Sequence, residues 1–214
     1  MGTLTMKFGG SVVGTVGALK QVLKIVQQEY ERWDRLLVVV SALDGVTDAL
    51  LEAVQLAALD NRRGYRRIAA NLRTRHLALI EQLPLGEMES RSLQADIDQL
   101  FFDMLALCQQ MADETSDRPM PDVSDAVVST GERLAARIIA AMLRQHSIRG
   151  VAIDGTHLVI TDSVFGNATP IIELTRQRVN ENLLPMLDRR IVPVVTGFIG
   201  ATESGKPTRS ARRS

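Results

Sequence analysis

The sequence has one cysteine, few aromatic residues and no excess of charge of either sign. Its single cysteine, Cys108, excludes an internal disulfide and a cysteine-based zinc site and indicates a reducing, cytoplasmic setting. The 25 basic and 25 acidic side chains cancel, so no overall field draws the chain to nucleic acid or to an anionic membrane. No apolar run approaches the roughly 18 residues of a membrane span, and no signal-peptide pattern is found. We therefore expect neither a nucleic-acid nor a membrane partner.

What is present is a chain of 214 residues, 45% of them hydrophobic, which is enough to bury a substantial core. Short apolar runs alternate with segments of helical periodicity. This alternation predicts an α/β fold, a three-layer α/β/α sandwich with a mainly parallel sheet. The predicted strands are residues 3–8, 35–42, 126–128, 149–154, 158–161 and 191–196.

The first two predicted helices cover about residues 19–33 and residues 47–59. A helical pair without any strand signal is inserted at about 61–117, followed by a polar loop at 113–122. Thr169 and Pro170 predict the start of a last helix, which ends near residue 190, because they supply a capping hydroxyl and a first-turn proline. Within the last strand, Pro193 predicts a bulge or an irregular position.

A glycine pair, Gly9 and Gly10, follows the first strand and precedes Ser11 and a strongly periodic helix. Glycines let backbone N–H groups approach a phosphate closely, and a helix N-terminus favours negative charge. Lys7 adds a full positive charge beside them. The stretch predicts a phosphoryl-group site at residues 7–11. The alternative is a tight strand-to-helix turn in which the glycines serve geometry only and the lysine is solvated.

Other strand ends favour the phosphate hypothesis, because ligands of open α/β sheets bind outside the carboxyl ends of the strands. The predicted loops at that edge are residues 9–11, 41–47, 129–132 and 196–200, all with small, polar or glycine residues. Two better-known phosphate motifs do not fit. Ser11 replaces the second glycine of a dinucleotide fingerprint, and Thr15 replaces the lysine of a P-loop.

Glu132 has two interpretations. With Ser129 it forms the pattern of a capping box, in which serine and glutamate satisfy each other's helix-terminal N–H groups. A carboxylate at a helix start could instead hold the ammonium group of an amino-acid substrate.

The helical insertion contains other residues of a chemically active type. His76 is predicted to lie at the edge of an apolar helical face rather than in an active site. The arginine run at 62–75 is predicted to be a solvated helix face, with a surface for an acidic partner as the alternative. Cys108 is predicted to be a core thiol.

Four motifs, taken in order and spacing, resemble those of the aspartate kinases of the amino-acid kinase superfamily. They are Lys7-Phe8-Gly9-Gly10-Ser11, Val39-Val40-Ser41-Ala42 with Gly45-Val46-Thr47-Asp48, Val128-Ser129-Thr130-Gly131-Glu132, and Val195-Thr196-Gly197-Phe198-Ile199-Gly200. The resemblance runs from about residue 4 to residue 208. Each motif alone would be weak, but the set is specific. It implies a carbamate kinase-like fold, in agreement with the pattern of strands and helices.

The resemblance implies phosphorylation of the side-chain carboxylate of L-aspartate by ATP with Mg²⁺. The product would be 4-phosphoaspartate, the entry to lysine, threonine and methionine biosynthesis. Because phosphoryl transfer depends mainly on positioning and charge neutralisation, Lys7 would act catalytically by stabilising charge on the transferring group. The phosphate side of the implied site is Lys7, Gly9, Gly10 and Ser11. The substrate side is Ser41, Thr47, Glu132 and Phe198, with Glu132 on the ammonium group.

The sequence departs from the family in two places. Val12 stands where the family has a second hydroxyl residue, so we expect one phosphate-side hydrogen bond of the family to be missing here. After Thr208 the family continues into a nucleotide-binding half, whereas residues 209–214 form a non-family tail. We therefore expect residues 1–208 to be a C-terminally truncated, substrate-side part of a kinase domain, with little or no kinase activity by itself. A homodimer or larger assembly is expected because unpaired strand edges recruit partners.

Two alternatives to aspartate kinase remain open. One is another member of the superfamily that acts on a different carboxylate or on carbamate. The other, from a different class, is a non-catalytic assembly or binding module.

Overall fold

A four-stranded, fully parallel sheet forms the centre of the protein in a computed structural model that describes residues 2–114 and 120–210. The strands are β1 (Thr3–Phe8), β2 (Arg35–Val40), β3 (Gly150–Ile153) and β4 (Val192–Thr196), in the spatial order β1-β2-β4-β3. A short antiparallel hairpin, β5 (Ile199–Ala201) and β6 (Pro207–Arg209), follows the last of them. The predicted strands at 3–8, 35–42, 149–154 and 191–196 are thereby confirmed.

Eight α-helices lie within the described residues. They are α1 (Val16–Tyr30), α2 (Val46–Ala58), α3 (Arg62–Glu81), α4 (Glu87–Asp113), α5 (Pro121–Val128), α6 (Thr130–Gln145), α7 (Ile172–Asn182) and α8 (Leu184–Asp188). None of the helices in the described part of the chain is both long and apolar enough to span a membrane.

The sheet has two apolar faces because side chains of a strand alternate between them. On one face, Leu36 and Val38 belong to the main core, which also contains buried residues of α1 and α6. On the other face, Leu37 and Val39 pack with a smaller cluster that includes Leu183, between α7 and α8. Helices therefore cover both faces, and the predicted three-layer α/β/α sandwich is confirmed.

Pro193 does not interrupt β4, so the prediction of a bulge or an irregular position is wrong. It keeps the parallel register with β3, opposite Val151. On the other side of β4, pairing with β2 begins only at Val194, one residue later. The missing proline N–H therefore leaves the ladder of paired residues intact.

The helical insertion, which we define as α3 and α4, confirms the predicted helical pair. α3 begins at an asparagine cap, since the side chain of Asn61 accepts a hydrogen bond of 2.9 Å from Gly64 N–H. α4 ends at Asp113, and residues 115–119 of the predicted loop lie outside the described residues.

His76 is fully buried within this insertion, so its predicted place at the edge of an apolar face is wrong. Its Nδ1 lies 2.7 Å from the Leu72 carbonyl oxygen, and its ring meets Phe101 edge-on. Burial lowers the pKa of His76. Cys108 is also buried, and burial raises the pKa of its thiol to about 11, which confirms the predicted core thiol.

The strand predicted at 126–128 is wrong, because these residues form the end of α5. Pro121 occupies the first turn of this helix, where its missing N–H has no cost, and Val123 and Val127 are buried one turn apart. Three apolar residues are too few to distinguish a buried strand from a buried helical turn.

Two further predictions differ from the structure between β3 and β4. Residues 158–161 form no strand, although Ile160 and Thr161 make isolated bridges to Ala201 and Pro170. Because Pro170 is used in that bridge, the following helix begins at Ile172 rather than at the predicted Thr169 cap. It is also divided, since α8 starts anew at Leu184.

The predicted boundary at residue 208 falls inside the β5–β6 hairpin. Arg209 is the last residue of β6 and pairs with Ile199. Residues 211–214 lie outside the described residues.

Candidate functional site

A cavity of about 420 Å³ opens at the carboxyl edge of the sheet, where the loops after β1, β2 and β4 meet. The parallel direction of these strands brings their ends to one edge, which is why residues far apart in sequence share the cavity. Seven of the eight predicted site residues line it: Lys7, Gly9, Gly10, Ser11, Ser41, Thr47 and Phe198. Glu132 is not among the lining residues.

The glycine loop does not lead directly into α1. Gly10 to Val12 form a single 3-10 turn, and α1 begins only at Val16, after a cap in which the Thr15 hydroxyl accepts a hydrogen bond from Ala18 N–H at 3.2 Å. The predicted helix after the glycines is confirmed, but a 3-10 turn separates its N-terminus from the glycine pair. Any anion at this loop would depend on the backbone of the turn and on Lys7.

The two glycines of the loop have different surroundings. A Cβ atom on Gly10 would lie 2.8 Å from the carbonyl oxygen of Ala42, so glycine is required there by the close approach of two loops. A Cβ atom on Gly9 would meet no atom within 4 Å, and the backbone of Gly9 is ordinary extended chain with φ −79°. Gly10 thus allows two loops to pack closely together, whereas Gly9 leaves open space beside the cavity.

Lys7 is exposed and rests against an aromatic face. Its Nζ lies 4.3 Å from the centroid of the Phe198 ring, a cation–π distance. Among the described residues, Lys7 takes part in no ion pair. The contact with Phe198 therefore orients the ammonium group without neutralising it, and its charge stays available to an anion in the cavity.

Phe198 itself has an unusual backbone. Its φ is +59°, in the left-handed region that non-glycine residues seldom occupy. It lies between β4 and β5, and its own carbonyl oxygen accepts a hydrogen bond from Ser210 N–H at 2.9 Å. The connection from the sheet to the hairpin is thus what turns the ring towards Lys7.

The loop after β2 supplies the opposite wall. Ser41 and Thr47 are buried, and Gly45 has φ +72° where the chain turns into α2. Asp44 and Asp48 are exposed residues that also line the cavity, and sequence reasoning did not select them. A carboxylate in the first turn of a helix is a common stabilising feature, so Asp48 cannot be distinguished by sequence from an ordinary helix start.

Glu132 lies below the surface, with 1% of its area exposed. The capping-box interpretation is wrong, because the Ser129 hydroxyl donates a hydrogen bond of 2.6 Å to the carbonyl oxygen of Asp125. Ser129 has helical angles, and no side chain caps α6. Gly131 packs against the cavity wall, since a Cβ atom there would lie 2.7 Å from Ala42 Cβ. Glu132 is thus one residue away from that wall.

Metal ligation by side chains alone finds no support in residues 2–114 and 120–210. No group of three or more histidine, cysteine, aspartate or glutamate side chains in these segments could hold a metal ion.

Comparison with known proteins places these features in a family. Residues 3–212 match the amino acid kinase family. The aspartokinase of Chlamydia muridarum is 28% identical over 205 residues, which cover 96% of this chain and 41% of that protein. Lysine-sensitive aspartokinase 3 of Escherichia coli K12 is 27% identical over 206 residues, covering 96% of this chain and 42% of that protein. The chain therefore spans about two-fifths of the length of these relatives.

Solved structures agree with the sequence comparison. Aspartokinase III of E. coli in complex with lysine and aspartate superposes with a TM-score of 0.82 at 25% identity, over 98% of this chain and 44% of that one. The complex of the same enzyme with aspartate and ADP gives a TM-score of 0.81 at 25% identity, over 97% of this chain and 43% of that one.

Proposed function

The chain belongs to the amino acid kinase family, and from this premise we propose that it carries the aspartate- and phosphate-contacting part of an aspartate kinase site. The proposed reaction transfers the γ-phosphoryl group of ATP to the side-chain carboxylate of L-aspartate, giving 4-phosphoaspartate. The product would enter lysine, threonine and methionine biosynthesis. The observation that carries the proposal is the convergence of seven predicted residues from three strand-end loops on one cavity.

Lys7 would act on the phosphate side of this cavity. A phosphoryl group in transfer carries charge spread over its oxygens, and a positioned cation that is not already paired stabilises that charge. The contact with Phe198 supplies the positioning. The open space at Gly9 would let a phosphate oxygen approach the backbone, and the Ser11 hydroxyl is exposed at the same rim.

ATP with Mg²⁺ would supply the phosphoryl group, and the residues at hand suit the phosphates better than the metal. Lys7 and the backbone from Gly9 to Ser11 would receive phosphate oxygens. The described side chains offer no three-ligand metal group, so Mg²⁺ would be bound through the nucleotide and water.

Ser41 and Thr47 would orient the aspartate carboxylates, because their side chains are buried in the cavity wall at the entrance to α2. Glu132, which is buried beside the wall that Gly131 forms with Ala42, would hold the ammonium group. Asp44 and Asp48 line the cavity and make its rim acidic, which suits a ligand with an ammonium group.

Ligand titration of the 214-residue chain tests the substrate class. We expect L-aspartate to shift the backbone amide signals of residues 7–11 and 41–48 in ¹H–¹⁵N spectra. Thr47→Val should weaken this binding at least tenfold, since a lost hydrogen bond to a charged group is worth about 1.5–3 kcal/mol. Thr5→Val, at an exposed position of β1, is the matched control. Equal or tighter binding of L-glutamate or carbamate would assign the site to another reaction of the family.

A further inference from the structure

Asp125, on α5, is a buried carboxylate outside the cavity, with 2% of its area exposed. Its Oδ2 accepts hydrogen bonds from the N–H groups of Gly166 at 2.7 Å and Arg209 at 3.0 Å. Its Oδ1 lies 3.7 Å from Nε of Arg209. Burial is the main reason that the pKa of Asp125 is raised, so the carboxylate is retained here at some cost.

The groups that Asp125 binds belong to the β5–β6 hairpin and to the loop beside it. Arg209 ends β6, and its carbonyl oxygen accepts a hydrogen bond from Ala168 N–H at 3.0 Å. A second, outer connection joins the same helix and hairpin, because Lys206 Nζ lies 2.9 Å from Asp122 Oδ2. The inner connection is buried, whereas the outer one is partly exposed to solvent.

The hairpin in turn holds the ring that orients Lys7. Ser210, the residue after Arg209, donates its N–H to the carbonyl oxygen of Phe198. Phe198 has a positive φ, which costs about 1 kcal/mol or more and persists only where the surrounding structure enforces it. Release of the hairpin would let this backbone relax and would remove the ring from Lys7.

We propose that Asp125 is a positioning residue, whose buried carboxylate fixes the β5–β6 hairpin to α5 and thereby holds Phe198 against the Lys7 ammonium group. The importance of Asp125 for catalysis rests on the proposed function of Lys7. The positioning of Phe198 by Asp125 is independent of that function, because it can be measured without any ligand.

The test uses the four lysines of the chain, Lys7, Lys20, Lys24 and Lys206, as reporters. After reductive ¹³C-methylation of the folded protein, the methyl signal of Lys7 is expected upfield of those of the exposed Lys20 and Lys24, because it lies over an aromatic ring. Asp125→Ala is expected to abolish this shift. Asp125→Asn is expected to preserve it, since one amide oxygen can still accept both N–H groups.

Asp122→Ala is the matched control, because it removes the outer connection from the same helix and is expected to move only the Lys206 signal. A Lys7 signal that stays in place in Asp125→Ala, or that moves equally in Asp122→Ala, would overturn the proposal. The main hydrophobic core is left unchanged by Asp125→Ala, so we expect this variant to fold.

Hydrogen exchange of the unmodified chain gives a second test that needs no variant. The amide protons of Gly166, Arg209 and Ser210 are expected to exchange with the same opening free energy as those of α5. Exchange of the hairpin amides at a much lower free energy than α5 would show that Asp125 does not hold the hairpin. Aspartate binding in Asp125→Ala is then measured separately, so a failure of the proposed function remains distinct from a failure of the positioning.

Discussion

The cavity and the helical insertion contain similar kinds of residues in opposite circumstances. The insertion has a histidine, the only cysteine and a run of arginines, but His76 and Cys108 are sealed in apolar surroundings. Its Arg62 and Arg73 pair with aspartates at the surface. The cavity has a lysine outside any ion pair of the described residues and a glycine with open space beside it. The cavity is distinguished as a candidate binding site by a charge outside any ion pair and by open space, rather than by the types of residue present.

This contrast predicts that the residues that stabilise the fold and the residues that bind ligand lie in different regions. Substitutions in the insertion should change the free energy of unfolding and leave ligand affinity unchanged. Substitutions of cavity residues that have no tight packing contact, such as Lys7 and Gly9, should do the reverse. Ranked by expected effect, the following changes test that separation.

Ile97→Ala should give the largest loss of stability. Ile97 is fully buried in α4, and truncation of a buried isoleucine to alanine costs about 2–5 kcal/mol. Denaturant unfolding measures this loss, with the exposed Met88→Ala on the same helix as control. Aspartate affinity of the folded variant should be unchanged, and a parallel loss of affinity would break the separation.

Gly10→Ala and Gly9→Ala should differ, although they are adjacent. The first places a methyl group 2.8 Å from a backbone oxygen and should destabilise the fold by about 1–3 kcal/mol, as expected for overpacking. The second meets no atom within 4 Å and should leave the melting temperature unchanged while weakening ligand binding. Equal melting temperatures of the two variants would contradict the distinction between them.

His76 should make a small, pH-dependent contribution. Its pKa in the folded protein lies below the ordinary value of 6.5, so below that pH the unfolded chain binds more protons and stability falls as the pH falls. One such group changes the unfolding free energy by at most about 1.4 kcal/mol per pH unit. His76→Gln should flatten the profile between pH 5 and 6.5, and an unchanged slope in this range would show that His76 is not the group responsible.

Much of the fold follows from sequence pattern. β2 is a run of mostly apolar residues, as expected of a strand covered on both faces. The long apolar stripes of α3 and α4 repeat at helical spacing and predict helices. The cavity residues could be selected because parallel strands end at one edge. These inferences use only local pattern and one general rule of topology.

The wrong or missing predictions concern residues whose structure depends on tertiary packing rather than on local sequence pattern. Residues 126–128 contain too few apolar positions to show a period. Ser129 has helical angles, and its hydroxyl donates a hydrogen bond to the preceding helical turn instead of capping α6. The depth of Glu132 depends on how closely Gly131 meets Ala42, a contact between segments far apart in sequence. Asp125 has no local signal, because its partners Gly166 and Arg209 come from distant loops.

The proposed function requires the cavity to bind the phosphoryl group of an aspartyl phosphate beside Lys7. Calorimetric titration with a phosphonate isostere of 4-phosphoaspartate measures this binding. Lys7→Met should weaken binding at least tenfold, about 1.4 kcal/mol, with no loss of melting temperature, whereas Lys20→Met on α1 should bind as the unaltered chain does. Equal affinity of the unaltered chain and Lys7→Met would show that Lys7 does not bind the phosphoryl group.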